Sequence, residues 1–185
     1  MEYVFQTDSI SKQYGKYKAL DHFSMHIPKG SIYGFVGKNG AGKTTLIRLL
    51  CGLQFPTDGE FTLFNTKNTS SEIGQIRHRI GAIVEAPAVY ADMTAEENMK
   101  HQYRILGLDS FDGIKECLRL VKLEETGRKK VKIFSQGMRQ KLSIAMALSG
   151  NPDFVILDEP TNGLDPQGII ELRELVTKLR YAYIE

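Results

Sequence analysis

With 185 residues, 42% of them hydrophobic, the chain falls in the size range of one globular domain and carries enough apolar material for a real core. Its 24 basic and 22 acidic residues leave a net charge of +2 and are spread along the chain, so no electrostatic argument points to nucleic acid or acidic lipid as a partner. No stretch approaches the roughly 18 apolar residues of a membrane span, and Met1-Glu2-Tyr3-Val4 opens neither a basic nor an apolar leader segment, which predicts a soluble chain.

In chain order, Val4 to Ile10, Phe23 to Ile27 and Ser31 to Val36 read as strands, the last running into a glycine-rich loop. A helix opens at Lys43-Thr44-Thr45, carries Leu46, Ile47, Leu49 and Leu50, and stops at Gly52. Gly59 to Phe64 and Ile80 to Val84 are further strands, and Thr94-Ala95-Glu96-Glu97 is a capping box that starts a helix towards Ile105. Helical spacing returns from Ile114 to Val121, and the polar, basic run from Glu124 to Lys132 reads as a solvated loop. Ser135 begins a helix through Leu142, Ala145, Met146 and Leu148, ended by Gly150-Asn151-Pro152. Phe154-Val155-Ile156-Leu157 is a short apolar strand of the kind found in buried parallel sheets. Ile169, Leu172, Leu175, Val176 and Leu179 mark a final amphipathic helix. Cys51 and Cys117 sit in apolar helical patterns without CxxC spacing, as buried free thiols in a reducing cytosol do.

The strongest motif is Gly37-Lys38-Asn39-Gly40-Ala41-Gly42-Lys43-Thr44, followed by Thr45, which reads as a P-loop that binds ATP. A loop can wrap a polyphosphate only if its backbone N–H groups converge, and Gly37, Gly40 and Gly42 permit that where side chains would block the approach or φ must be positive. Lys43 would reach the β- and γ-phosphates and the Thr44 hydroxyl would ligate Mg2+, while the helix behind them points its positive end at the anion. Average residue usage gives a chance match in on the order of 1 in 200 chains of this length.

Hydrolysis needs a carboxylate on the metal and a base near the attacking water. Asp158-Glu159, at the tip of an apolar strand, supplies both: Asp158 would hold Mg2+, directly or through water, and Glu159 would polarise the water. An acidic pair after a strand is also common as a solvated turn.

These residues resemble the nucleotide-binding subunit of an ABC transporter, over nearly the whole chain. Asp158-Glu159-Pro160-Thr161-Asn162-Gly163-Leu164-Asp165 is similar to the family's Walker B and D-loop run. Phe134-Ser135-Gln136-Gly137-Met138 stands where the LSGGQ signature lies; it departs at Phe134, Gln136 and Met138 but keeps the serine and the second glycine. A hydroxyl and a bare backbone at a helix N-terminus suit an anion, although Ser135 also reads as an ordinary helix cap. Tyr14 matches the aromatic that stacks on adenine in the family, with Tyr17 as its neighbouring competitor. In Ile80-Gly81-Ala82-Ile83-Val84-Glu85-Ala86-Pro87, Glu85 replaces the glutamine of the Q-loop, and with Tyr90 and Met93 to Asn98 this resembles the bacitracin and lantibiotic exporter subfamily. Glu85 would ligate Mg2+ and relay the nucleotide state to a membrane partner, or it is a plain strand-end glutamate.

The resemblance implies an α/β P-loop NTPase fold of ABC type: a mixed sheet, an antiparallel β subdomain, and a helical signature subdomain over about residues 94–150 of a single 1–185 domain. It implies ATP and Mg2+ as ligands, and a head-to-tail dimer in which Ser135 and Gly137 face the γ-phosphate on a second ATP-binding subunit. It further implies a separate multispanning permease, a cytoplasmic place on the inner face of the membrane, and export of a peptide antibiotic or similar amphiphile. The family's next elements are a strand and a histidine that contacts the γ-phosphate. Here all four histidines, His22, His26, His78 and His101, precede Asp158, and the stretch from Lys178 to Glu185 shows no turn and apolar strand. A copy cut short or frameshifted at the C-terminus is therefore expected, with little ATPase activity and a broad melt. The alternatives are a nucleotide-binding fragment without catalysis, and a non-transport ABC ATPase, whose second cassette or coiled-coil insertion the sequence does not show.

Overall fold

The computed structural model describes residues 2–85 and 88–182; Ala86 and Pro87 of the Glu85 motif and the last three residues lie outside the described residues. The chain divides into two compact units, one up to Ile80 and one from Gly81 onwards, and each is taken by itself.

The first unit is built on a long hairpin, β1 (Tyr3–Tyr14) and β2 (Tyr17–Pro28), which extends both of the first two predicted strands to the turn. Its two-residue loop starts at Gly15 with φ +56°, the positive value that a tight hairpin loop needs to match strand twist. After α1 (Lys43–Leu50), β3 (Asp58–Leu63) pairs antiparallel with β1, and a short β4 (Thr66–Lys67) pairs with β3. The sheet order is β2-β1-β3-β4. Phe64 and Asn65, at φ 47° and 63°, make the tight turn between β3 and β4. Phe5, Ile10, Leu46, Leu49 and Leu63 are fully buried, and the Phe61 ring tilts against Phe5 at 5.7 Å. The short α2 (Ile73–Arg77) brings the Arg77 guanidinium onto the Leu50 carbonyl at 3.0 Å, a cation at the negative end of α1.

Ser31 to Val36 corrects a sequence expectation. The segment carries no regular structure, and among the described residues no strand pairs with it. Ile32 and Tyr33 are about half exposed and Val36 is 92% exposed. An apolar, β-prone run becomes a strand only when a neighbour satisfies its N–H and C=O groups, and local pattern cannot provide that neighbour.

In the second unit, β5 (Ile80–Ile83) and β6 (Phe154–Leu157) form a two-stranded sheet. Ile156 is buried, while Phe154, Val155 and Leu157 are only half-buried. The helices are α3 (Ala95–Ile105), α4 (Ile114–Leu120), α5 (Gln136–Ala147) and α6 (Pro166–Ala182). Their core includes Met99, Val121, Val131, Leu142, Ile144 and Ala145. Val131 corrects the solvated-loop expectation: it is fully buried, its amide donates to the Met93 carbonyl at 2.9 Å, and Glu124–Thr126 and Val131–Ile133 are single 3-10 turns. Asn98, also fully buried, accepts from the Tyr90 amide at 2.7 Å and donates to the carbonyls of Tyr90 and Thr94, tying residues 90–94 to α3. Cys51 and Cys117 are free and half-buried, and burial pushes the Cys51 thiol up to about 11.

The predicted capping box forms in full: the Thr94 hydroxyl accepts from the Glu97 amide at 3.1 Å and the Glu97 carboxylate accepts from the Thr94 amide at 2.6 Å. That backbone bond, joined by Lys130 at 3.0 Å, lowers the Glu97 carboxyl from 4.5 to about 2. A depressed carboxyl stabilises the fold above its unfolded value and loses that contribution as pH falls through the folded one. Acid unfolding should therefore show a component between pH about 4.5 and about 2 that E97Q removes, measured by circular dichroism. Gly81 sets a second test. A Cβ there would collide with the Ala147 carbonyl oxygen and come within 2.9 Å of Pro152 Cγ, so β5 and the end of α5 meet only because residue 81 has no side chain. Urea unfolding of G81A should show a loss of about 2 kcal/mol or more.

Candidate nucleotide site

The first unit holds the glycine-rich loop. Gly40 and Gly42 adopt φ +81° and +85°, which L side chains rarely accept. The two glycines answer to different constraints. A Cβ on Gly40 would meet open space, so φ alone selects glycine there. At Gly42 a Cβ would also collide with the Ala19 carbonyl of β2 and approach Leu20 Cδ2 to 2.8 Å. Gly42 is the N-cap of α1, with no side-chain cap hydrogen bond and no acidic residue in the first turn. The orphan N–H groups and the positive end of the helix are thereby left to a ligand. Lys43 lies over the loop, its ammonium donating to the carbonyls of Gly37 at 2.8 Å and Lys38 at 3.0 Å, and the Ala41 amide bonds Lys38 across the turn at 3.1 Å.

Both candidate adenine aromatics flank the hairpin turn, paired across it. The Tyr17 hydroxyl donates to the Gly40 carbonyl at 3.0 Å, bringing the hairpin tip onto the loop. The Tyr14 hydroxyl donates to Gln54 Oε1, and the Lys12 ammonium stands 5.2 Å from its ring centroid. Gln54 and Lys12 carried no signal of this in the sequence.

The second unit holds the acidic residues. The Asp158 amide donates to the Ile83 carbonyl at 3.0 Å, so Glu85, Asp158 and Glu159 emerge at one end of the β5–β6 sheet. Asp158 is buried, and Glu85 and Glu159 are exposed. Glu85 and Glu159 have φ of 65° and 44°, an uncommon backbone state for glutamate of the kind that gathers at functional sites. The Asn162 side-chain amide donates to Glu159 Oε2.

Ser135 is the N-cap of α5, its hydroxyl accepting from the Met138 amide at 3.2 Å. A Cβ on Gly137 would touch nothing nearer than Leu164 Cδ2 at 3.6 Å, so the local packing does not itself demand glycine and the backbone there stays open to approach. Gln136, one of the departures from the signature pattern, donates from Nε2 to the Asn162 carbonyl at 3.3 Å. That link was missed in the sequence, where Thr161-Asn162-Gly163 reads only as part of a Walker B and D-loop run.

Among the described residues no group of three or more His, Cys, Asp or Glu could hold a metal ion alone. Within each unit the donor chemistry suits Mg2+, which is commonly bound through one or two protein oxygens together with substrate phosphates: the Thr44 hydroxyl in the first, the Asp158 and Glu85 carboxylates in the second.

A glycine-rich turn opening an uncapped helix, together with carboxylates at a strand end, defines a P-loop nucleotide-binding protein. The family model described as ABC transporter matches residues 20–162, and the chain belongs to that family. It is 46% identical over 179 residues to the bacitracin transport ATP-binding protein BcrA of Bacillus licheniformis, covering 97% of this chain and 58% of that protein. It is 39% identical over 177 residues to the lantibiotic transport ATP-binding protein SrtF of Streptococcus pyogenes, covering 96% of this chain and 75% of the relative. The chain thus spans a little over half the length of BcrA. Among solved structures, the dimeric MJ0796, a bacterial ABC transporter cassette, superposes with a TM-score of 0.83 at 28% identity, over 96% of this chain and 83% of that one. The same cassette has also been solved bound to ADP and Pi. The α/β fold with its antiparallel sheet and helices is that of an ABC cassette.

Two substitutions separate the roles in the loop. K43A should weaken binding of a fluorescent ATP analogue at least tenfold while leaving the melting temperature within a few degrees. G42A should lower both, because its Cβ meets β2 as well as straining φ.

Proposed function

We propose that this chain is the ATP-binding and hydrolysing subunit of an ABC exporter, coupling ATP-driven dimerisation to export of a peptide antibiotic or similar amphiphile. The observation that carries this reading is the glycine-rich N-terminus of α1, left without a side-chain cap and overlaid by the Lys43 ammonium. Phosphates would take the N–H groups of Gly40 to Thr45, and Lys43 would exchange its two carbonyl partners for phosphate oxygens, aided by Lys38 and Asn39 on the loop. Tyr14 would stack on the adenine. Thr44 in the first unit, and Asp158 and Glu85 in the second, would each offer Mg2+ an oxygen ligand, and the ion would neutralise charge on the phosphates. Glu159 would accept a hydrogen bond from the attacking water and hold it in line.

The second subunit would bring its Ser135 and Gly137 turn against the γ-phosphate, closing two ATP molecules in a head-to-tail pair. That MJ0796 was solved as a dimer supports the pairing of two such subunits. The relatives are named for transport of bacitracin and of a lantibiotic, which supports peptides of that kind as the cargo; a separate multispanning permease, with this subunit on the inner face of the membrane, would carry them out. Among the described residues no helix is long and apolar enough to cross a membrane.

A second reading, nucleotide binding without turnover, is favoured by one observation: among the described residues the segment entering the P-loop has no strand partner, and Val36 is 92% exposed. ATP titration and phosphate release, run side by side, distinguish the two. Under the first reading E159Q binds ATP like the parent chain but loses turnover by about a hundredfold or more. E85Q should retain ATP binding and change the stimulation of turnover by the permease. A parent chain that binds ATP and releases no phosphate would establish the second reading.

A further inference from the structure

We propose that Asn162 and Gln136 are positioning residues for the Glu159 carboxylate, so that the first turn of α5 sets the orientation of the proposed water-polarising group. The proposal rests on the hydrolytic reading above. An exposed glutamate samples many side-chain rotamers, whereas holding a water in line requires one. Asn162 restrains Glu159 at both ends of the residue: its backbone amide donates to the Glu159 carbonyl at 3.0 Å, and its side-chain amide donates to Oε2. The Asn162 carbonyl in turn accepts from Gln136 Nε2 at 3.3 Å.

The room for this link is made by Gly163. Its φ is +69°, and a Cβ there would collide with the Gln136 side-chain amide. Gln136 is the first residue of α5 and follows the cap residue Ser135 directly. Contacts therefore run in series from the Ser135–Gly137 turn through Gln136 and Asn162 to Glu159. The chemistry at each link is directional. A neutral amide at 162 gives the carboxylate a donor without adding a second negative charge, and a neutral amide at 136 gives the carbonyl a donor that a carboxylate could not. An anion drawn to the α5 turn would act on Glu159 through these links.

Two measurements on the full 185-residue chain test this, one of them independent of turnover. In a 15N–1H spectrum, E159A should move the Asn162 side-chain amide signals. The isosteric Q136E should move the Gly163 backbone amide, whose peptide contains the Asn162 carbonyl, together with the Asn162 side-chain signals. In single-turnover hydrolysis, N162A should lower the rate about tenfold with ATP affinity unchanged. N162D should be slower still despite its equal size, and Q136E should lower the rate severalfold with Asn162 present but add nothing to N162A. Asn162 signals indifferent to both E159A and Q136E would overturn the proposal, as would an N162D rate equal to that of the parent. A parent chain without hydrolysis would overturn the hydrolytic reading instead, and the spectra would then decide whether the linked contacts exist.

Discussion

One backbone hydrogen bond, from the Asp158 amide to the Ile83 carbonyl, fixes where the acidic residues of the second unit stand. Beyond that bond the chain leaves the strand, and the left-handed Glu159, φ 44°, follows buried Asp158 as an exposed residue, so the two carboxylates face different surroundings. Gly81 sets a second constraint on β5, the strand of Ile83, since any side chain there would push it away from the end of α5.

The first unit solves a different problem with a similar device. Gly42 must turn the chain into α1 with its N–H groups outward and must also let β2 pass at the distance of a bare backbone. Side-chain caps are used on α3 by Thr94 and on α5 by Ser135, whereas α1 has none. A capped helix end is stabilised on its own, and an uncapped one gains its stabilisation when an anion arrives. Binding energy and local order are thus linked at the same turn.

What could be read from the sequence follows from how local its cause is. The Thr94 capping box, the Ser135 cap and the stop at Gly52 depend on residues within one turn, and all three form as expected. The short β4 and α2 were not legible, because neither Thr66–Lys67 nor Ile73–Arg77 is long enough to show a period. Val131 was hidden in a basic stretch, and its burial comes from pairing with the loop before α3. For Ser31 to Val36 the pattern was right and the outcome was not, since strand formation is a property of two segments. The P-loop and the Asp158-Glu159 pair could be read as chemistry, but not the left-handed φ of Glu85 and Glu159 or the link from Gln136 to Asn162. The choice between Tyr14 and Tyr17 stayed open because hairpin register places both beside the turn.

The segment that runs into the P-loop has a consequence for the behaviour of the chain in concentrated solution. Ser31-Ile32-Tyr33-Gly34-Phe35-Val36 contains no charge and no proline, exposes Ile32, Tyr33 and Val36, and among the described residues pairs with no strand. Proteins ordinarily protect such edges with lysine, proline or a covering element, because an open one templates pairing with any similar strand that drifts past. The stretch that delivers the phosphate loop is thus also the part of this chain most prone to start aggregation, and keeping it soluble falls to whatever strand or chaperone reaches it first.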